Sequence, residues 1–223
     1  MENENLPKTT EAEDFGVKIG AFVEKNKKAI IIVIVAILVV ILAFFGVKRF
    51  VMQPREEKAN EAVFAAEQYF ANSQFDLALN GNDKHAGFLE VADRYGRTKA
   101  GRRARYCAGL CYLQMGQYEN AAKELKRYKG KDTFTPILAL IAEGDAECDL
   151  GNNGKALGCY EKAAKMDDNF ITTPYALFKA GMIHLMDGNG DKAKKAFQQI
   201  KSQYPESTEY REIDKYITWA ENI

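Results

Sequence analysis

Between residues 102 and 207 the chain repeats itself, and this repeat restricts the fold more than any other feature. RRARYCAGLCYLQMGQYENAAKELKRY carries Gly109, Tyr112, Gly116, Tyr118, Ala121 and Leu125. ILALIAEGDAECDLGNNGKALGCYEKAAKMDDN carries Gly144, Gly151, Ala156, Tyr160 and Ala163, and PYALFKAGMIHLMDGNGDKAKKAFQQIKSQYP carries Gly181, Gly188, Ala193, Phe197 and Pro205. Aligned on alanine, the spacing is 35 residues from Ala121 to Ala156 and 37 from Ala156 to Ala193. A period of this size marks an array in which each unit buries its open flank against the next.

The repeated positions have a common physical reading. Gly109, Gly144 and Gly181 fall inside the first helix of each unit, where glycine costs about 1 kcal/mol relative to alanine. That cost is tolerated where a second helix must approach closely. Gly116, Gly151 and Gly188 stand where the first helix ends, a position suited to a left-handed backbone. Ala121, Ala156 and Ala193 are then the small residues of the second helix facing the first. Five prolines in 223 residues, with apolar residues at helical spacing, agree with an all-α chain.

A second feature lies ahead of the array. Ala29–Val47 reads AIIIVIVAILVVILAFFGV, nineteen residues without a charge, bracketed by Lys25, Lys27 and Lys28 before and Lys48 and Arg49 after. As a helix it spans roughly 28 Å, close to the hydrocarbon thickness of a bilayer. A cleaved secretory signal has a shorter apolar run, starts earlier and ends in a small-residue site, so an uncleaved anchor is the expectation. Lys and Arg are balanced on its two sides, so the charge count does not orient it. Phe15, Ile19 and Phe22 recur at the spacing of an interfacial amphipathic turn, or belong to a frayed tail.

Charge excludes one class of partner. The chain has 31 basic and 31 acidic residues; residues 1–28 hold six acidic and five basic ones, leaving 25 acidic and 26 basic after the span. A nonspecific nucleic-acid binder needs clustered positive charge, so nucleic acid is not an expected partner.

No catalytic group and no cofactor or metal site is expected. His184 occupies the position of Tyr112 in the first unit, as a packing residue would, and His85 has no associated nucleophile motif. The string from Asp187 to Asp191 lacks the glycine and glutamate of a calcium loop, having Lys192 and Gln198 there. Cys107, Cys111, Cys148 and Cys159 have neither zinc spacing nor a favourable disulfide spacing, and are expected as buried free thiols.

On these residues the chain resembles tetratricopeptide repeat proteins: it follows their order of small residue, Tyr, Ala, aromatic and Pro over 102–207. The resemblance implies three helix pairs, at 102–135, 137–170 and 174–207. Tyr128 and Ile200 replace the usual second alanine and Asp168 the usual proline, which predicts looser seams there. Ahead of the array, 54–100 reads as a degenerate leading pair. Its first stripe is Ala59, Ala62, Val63, Ala66, Tyr69 and Phe70, and its second is Phe88, Leu89, Val91 and Ala92. Residues 208–223, with Ile213, Tyr216, Ile217 and Trp219, read as a capping helix.

The same resemblance implies a concave groove lined by the first helix of each unit. In the first unit the lining positions are Arg103, Tyr106, Leu110, Leu113 and Gln114; in the second, Leu138, Ile141, Asp145, Cys148 and Asp149; in the third, Tyr175, Phe178, Met182, Leu185 and Met186. The third set is strongly apolar and suits adaptable protein recognition, unless the Trp219 helix folds over it.

FVEKNKKAI before the span, with GFLEVADRYGRTKAG and YPESTEYREIDKYITWA, further resembles bitopic inner-membrane proteins akin to the YfgM-like ancillary subunit of the SecYEG translocon. That likeness implies a cytoplasmic tail at 1–28, a bilayer span at 29–47 and a periplasmic repeat domain. It also implies translocon subunits, chaperones or secreted clients as protein partners. Two other readings stay open: a scaffold of an envelope or division complex, and a receptor facing the cytosol.

Overall fold

The computed structural model describes residues 23–223, and the expected turn of Phe15, Ile19 and Phe22 lies outside them, as does most of the tail at 1–28. The chain divides into two units, Met1–Pro54 and Arg55–Ile223. In the first, helix α1 (Lys27–Val47) contains the whole apolar run and buries none of its residues, and a π-helical turn follows at Lys48–Met52. Its side chains are apolar all round rather than on one stripe, so α1 has no face to distinguish a protein core from solvent. It is the one helix among the described residues that contains a stretch long and apolar enough to cross a membrane, with a mean hydropathy of 3.6 over eighteen residues.

The second unit is an all-α stack: α2 (Gln53–Ala71), α3 (Phe75–Asn80), α4 (Phe88–Tyr95), α5 (Lys99–Gln114), α6 (Tyr118–Arg127), α7 (Thr135–Asp149), α8 (Asn153–Met166), α9 (Thr172–Met186), α10 (Gly190–Gln203), a 3-10 turn Glu209–Glu212 and α11 (Ile213–Glu221). Each helix from α4 onward packs against its successor in the chain, the near-neighbour pattern of a solenoid. The leading region departs from a simple pair. Phe75–Asn80 forms a helix of its own, because Phe75 packs edge-on against Phe70, 5.6 Å between ring centroids, and Ala78 and Leu79 are buried beside Phe88.

The three helical glycines each make room for one large side chain sixteen residues further on. A Cβ at Gly109 would lie 2.5 Å from Leu125 Cγ, one at Gly144 2.6 Å from Tyr160 Cε1, and one at Gly181 would overlap the Phe197 ring. The pairs α5–α6, α7–α8 and α9–α10 are thus built on the same contact with different occupants. Tyr160 and Phe197 are at most 1% exposed, and Ala121, Ala156 and Ala193 are fully buried. Burying one such aromatic contributes up to about 3 kcal/mol. Between the helices of each pair, Gly116, Gly151 and Gly188 adopt φ values of +70°, +75° and +72°, which end the first helix without a Cβ clash.

The three departures from the repeat pattern do not loosen the seams. Ile200 is fully buried with Phe197 and Ile213, because α11 covers the flank of the last pair. Asp168 accepts a 2.6 Å hydrogen bond from the Tyr204 hydroxyl, which ties the end of α8 to the end of α10. Tyr128 leaves the helix altogether: α6 stops at Arg127 and the backbone turns extended, so that the Tyr128 ring rests on Tyr106 at 5.8 Å.

Polar contacts fasten the leading helix to the array. Glu56 accepts the backbone N–H groups of Lys99 and Ala100 at 2.7 and 2.8 Å, satisfying two donors that the start of α5 would otherwise leave open. Arg103 pairs with Glu67 at 2.7 Å. Deeper, the Arg105 guanidinium bonds Glu124, the Ala92 carbonyl and Asp93, joining α4, α5 and α6 around a nearly buried charge pair.

Candidate functional site

The first helices of the three pairs converge on one open cleft of about 570 Å³. Leu113 and Gln114 come from the end of α5, Asp145, Cys148 and Asp149 from α7, and Phe178, Met182 and Met186 from α9. One residue in four along an α-helix returns to the same face, so these side chains sit together at the last two turns of parallel neighbours. Met186 is 63% exposed, while Phe178 and Met182 are half-buried against the core below. Trp219 does not close this surface: it is 49% exposed, and α11 packs against α10 through Ile213 and Ala220. Tyr216 of the same helix meets Phe178, ring edge-on at 4.8 Å, without lining the cleft.

Seven of the fifteen expected groove residues do not line the cleft: Ile141, Leu185, Tyr106, Leu110 and Tyr175, with Arg103 and Leu138, which face other hollows. Ile141 and Leu185 are 3% and 5% exposed. Ile141 packs among Ala156, Tyr160 and Ala176, where α8 and α9 close over it, and Leu185 packs on Phe197 under the cap. Tyr106 and Leu110 lie on the core formed by Leu125 and Ala139, Tyr106 being covered by the displaced Tyr128. Tyr175 faces a different hollow, beside Phe170 and Ile171.

Four residues complete the cleft that the repeat pattern did not single out for it: Tyr118, Tyr160, Lys179 and Ile183. Tyr118 begins α6, and Tyr160 and Lys179 form a polar node with Asp145 at its floor. The Tyr160 hydroxyl donates to Asp145 Oδ1 at 2.8 Å and Lys179 Nζ lies 3.0 Å from the same oxygen, so one carboxylate joins α7, α8 and α9. Burial alone would lower the Lys179 pKa, but the hydrogen bond and charge of Asp145 raise it on balance. Tyr160 is held protonated by burial, with the Asp145 charge adding to the effect. The node therefore brings no net charge to the cleft, whose wall is apolar and methionine-rich apart from the exposed Asp149 at its edge.

The thiols are not all buried as expected. Cys111 is, whereas Cys107, Cys148 and Cys159 are partly exposed, because α5, α7 and α8 leave those faces at helix seams. Burial pushes Cys107 and Cys111 up to about 12 and Cys159 to about 11, so none is an activated thiolate at neutral pH. His184 is buried under the α9–α10 turn with its Nδ1 unpartnered. Burial, then Lys192, lowers its pKa against the opposing pull of Glu161 and Asp187. Among the described residues no three His, Cys, Asp or Glu side chains are grouped to hold a metal ion.

Comparison with known proteins agrees with this geometry. A tetratricopeptide repeat model matches residues 103–132 and 175–207, the first and third helix pairs. Over 118 residues, 53% of its length, the chain is 33% identical to the TPR repeat-containing protein MJ1428 of Methanocaldococcus jannaschii, and it spans 19% of that protein. The chain thus carries tetratricopeptide repeats, a class of module whose stacked helices mediate protein–protein interaction.

Proposed function

We propose that the cleft between α5, α7 and α9 holds apolar segments of other polypeptides, with α1 anchoring the repeats in a membrane. The observation that carries this reading is the cleft wall of Leu113, Phe178, Met182 and Met186, open to solvent and backed by a self-neutralised Asp145–Lys179 pair. Flexible methionines accommodate varied apolar partners. Together with the likeness to YfgM-like proteins, this supports an ancillary role beside the secretion translocon of a bacterial inner membrane, passing newly exported chains toward periplasmic chaperones.

The test is photo-cross-linking in native membranes from a photoreactive residue at position 186, with position 195 on exposed Lys195 as control. A ladder of many adducts from position 186, sparing the control, is expected. A single stoichiometric adduct would instead favour a scaffold of an envelope or division complex, and equal labelling from both positions would remove the cleft from the mechanism. A phosphatase active only outside the cytosol, fused after Ile223, is expected to be active. A silent fusion would make the repeats a cytosol-facing receptor.

A further inference from the structure

A second concavity, of about 370 Å³, lies between the first turn of α5 and the connection from α6 to α7. It shares no lining residue with the apolar cleft. Its wall holds Lys99, Arg102, Arg103 and Lys131 with a single carboxylate, Asp132. That carboxylate is already engaged: it accepts the Thr135 N–H at 2.6 Å and the Tyr128 hydroxyl at 3.2 Å, which holds the loop and starts α7. Among the described residues Lys99 and Lys131 have no ion-pair partner, and Arg102 donates only to a carbonyl, that of Arg97 at 2.8 Å. Arg103 alone is neutralised, by Glu67. In a chain with 31 charges of each sign, Lys99, Arg102 and Lys131 around one hollow outnumber its single carboxylate, Asp132, and leave a net positive local field.

The hollow is also shaped. Tyr128 forms a rigid aromatic wall because its ring rests on Tyr106, and its hydroxyl lies where a Cβ of residue 130 would stand, so only glycine fits there. The anion that suits it is distributed rather than compact. A phosphate is best held by the free N–H groups of a helix start, yet those of α5 are occupied: Glu56 takes Lys99 and Ala100, and the Thr98 hydroxyl takes Gly101 at 2.9 Å. What remains is side-chain cations from two chain segments, a distributed charge complementary to several carboxylates of one extended strand.

We propose that this basic cleft binds an acidic, extended peptide segment of a partner protein, as a second site separate from the apolar cleft. The test uses the full chain in a neutral, nonionic detergent, with a fluorescein-labelled hexaglutamate peptide followed by anisotropy and hexaglutamine as control. Hexaglutamate is expected to bind and hexaglutamine not. Replacing both Lys99→Gln and Lys131→Gln is expected to weaken hexaglutamate binding roughly threefold to tenfold, the range for two exposed charge pairs, with helical content unchanged. Met186→Glu is expected to leave this binding as it was, which separates the outcome from that of the apolar cleft. Equal affinity for wild type and the double variant would overturn the proposal. So would displacement of the peptide by inorganic phosphate at matched charge, or by vesicles of anionic phospholipid but not by unlabelled hexaglutamate, which would assign the cations to those anions.

Discussion

The two clefts share helices α5 and α7 and differ in what is done with charge. In the apolar cleft the charged floor is closed on itself, Asp145 being shared by Tyr160 and Lys179. In the basic cleft the acidic residue holds the backbone of α7 and is outnumbered by the cations around it. The first wall is therefore read by shape and apolar contact, and the second by charge. A helix-pair array places side chains in regular rows, and local pairing within those rows decides which chemistry each hollow presents.

The largest effect on this contrast is expected from Phe197→Ala. Phe197 fills the space over Gly181 beneath the apolar cleft, and its loss should cost about 3–5 kcal/mol. Stability in repeat arrays is largely local. Hydrogen exchange should accordingly show α9, α10 and α11 losing protection while α5 and α6 keep theirs; uniform loss along the stack would mean that the two clefts are not energetically separate. Next is Glu124→Ala, which leaves the nearly buried Arg105 with Asp93 and a carbonyl and should cost about 3 kcal/mol, the low end for breaking a buried pair. Chemical denaturation would measure it, and the damage should centre on α4–α6, on the side of the basic cleft.

Asp145→Asn should cost about 1–2 kcal/mol, since asparagine still accepts from Tyr160 but no longer balances Lys179. It also narrows the contrast: the lining charge rises from one net negative, Asp145 and Asp149 against Lys179, to zero, so hexaglutamate should still fail to bind the apolar cleft in the Lys99→Gln/Lys131→Gln background. Smaller again is the pH response of His184. Its folded pKa is lowered, so the unfolded chain binds the proton more readily and stability is fully present above about 6.5, the free imidazole value. Melting temperature should fall as pH drops from that value through the folded pKa, and His184→Leu should flatten the change. An unaltered slope in that variant would show that another group titrates. Met186→Glu should shift stability by no more than about 0.5 kcal/mol, because Met186 is exposed, while abolishing cross-linking to apolar clients from a photoreactive residue at position 114 of the same cleft.

Much of the fold was legible because glycine and alanine report on space. Gly109, Gly144 and Gly181 signalled close approach, and the structure supplies Leu125, Tyr160 and Phe197 as the groups approached. The cleft was legible only in part. Leu113, Asp145, Phe178, Met182 and Met186 reach it, whereas Ile141 and Leu185 are buried, each between its own pair and the next element, Ala176 of α9 for Ile141 and Ile213 of α11 for Leu185. A position within a repeat defines the face turned toward its own pair, but not how far the following helix closes over that face. The hidden helix α3 has a similar cause: six residues are too few to show a period, and Phe75–Asn80 forms because Phe70 and Phe88 bury it.

By itself, then, the sequence determined the all-α character, the paired and repeating helices, the left-handed turns between them and a helix apolar enough to span a bilayer. Each of these follows from local backbone preference or from the spacing of apolar residues along one segment. Tertiary structure alone decided that Trp219 leaves the cleft open, that Tyr128 quits its helix to stack on Tyr106, and that Lys179 is neutralised while Lys99 and Lys131 are not. Those outcomes depend on partners brought together from different segments, and burial and charge pairing are properties of that meeting rather than of any one stretch of chain.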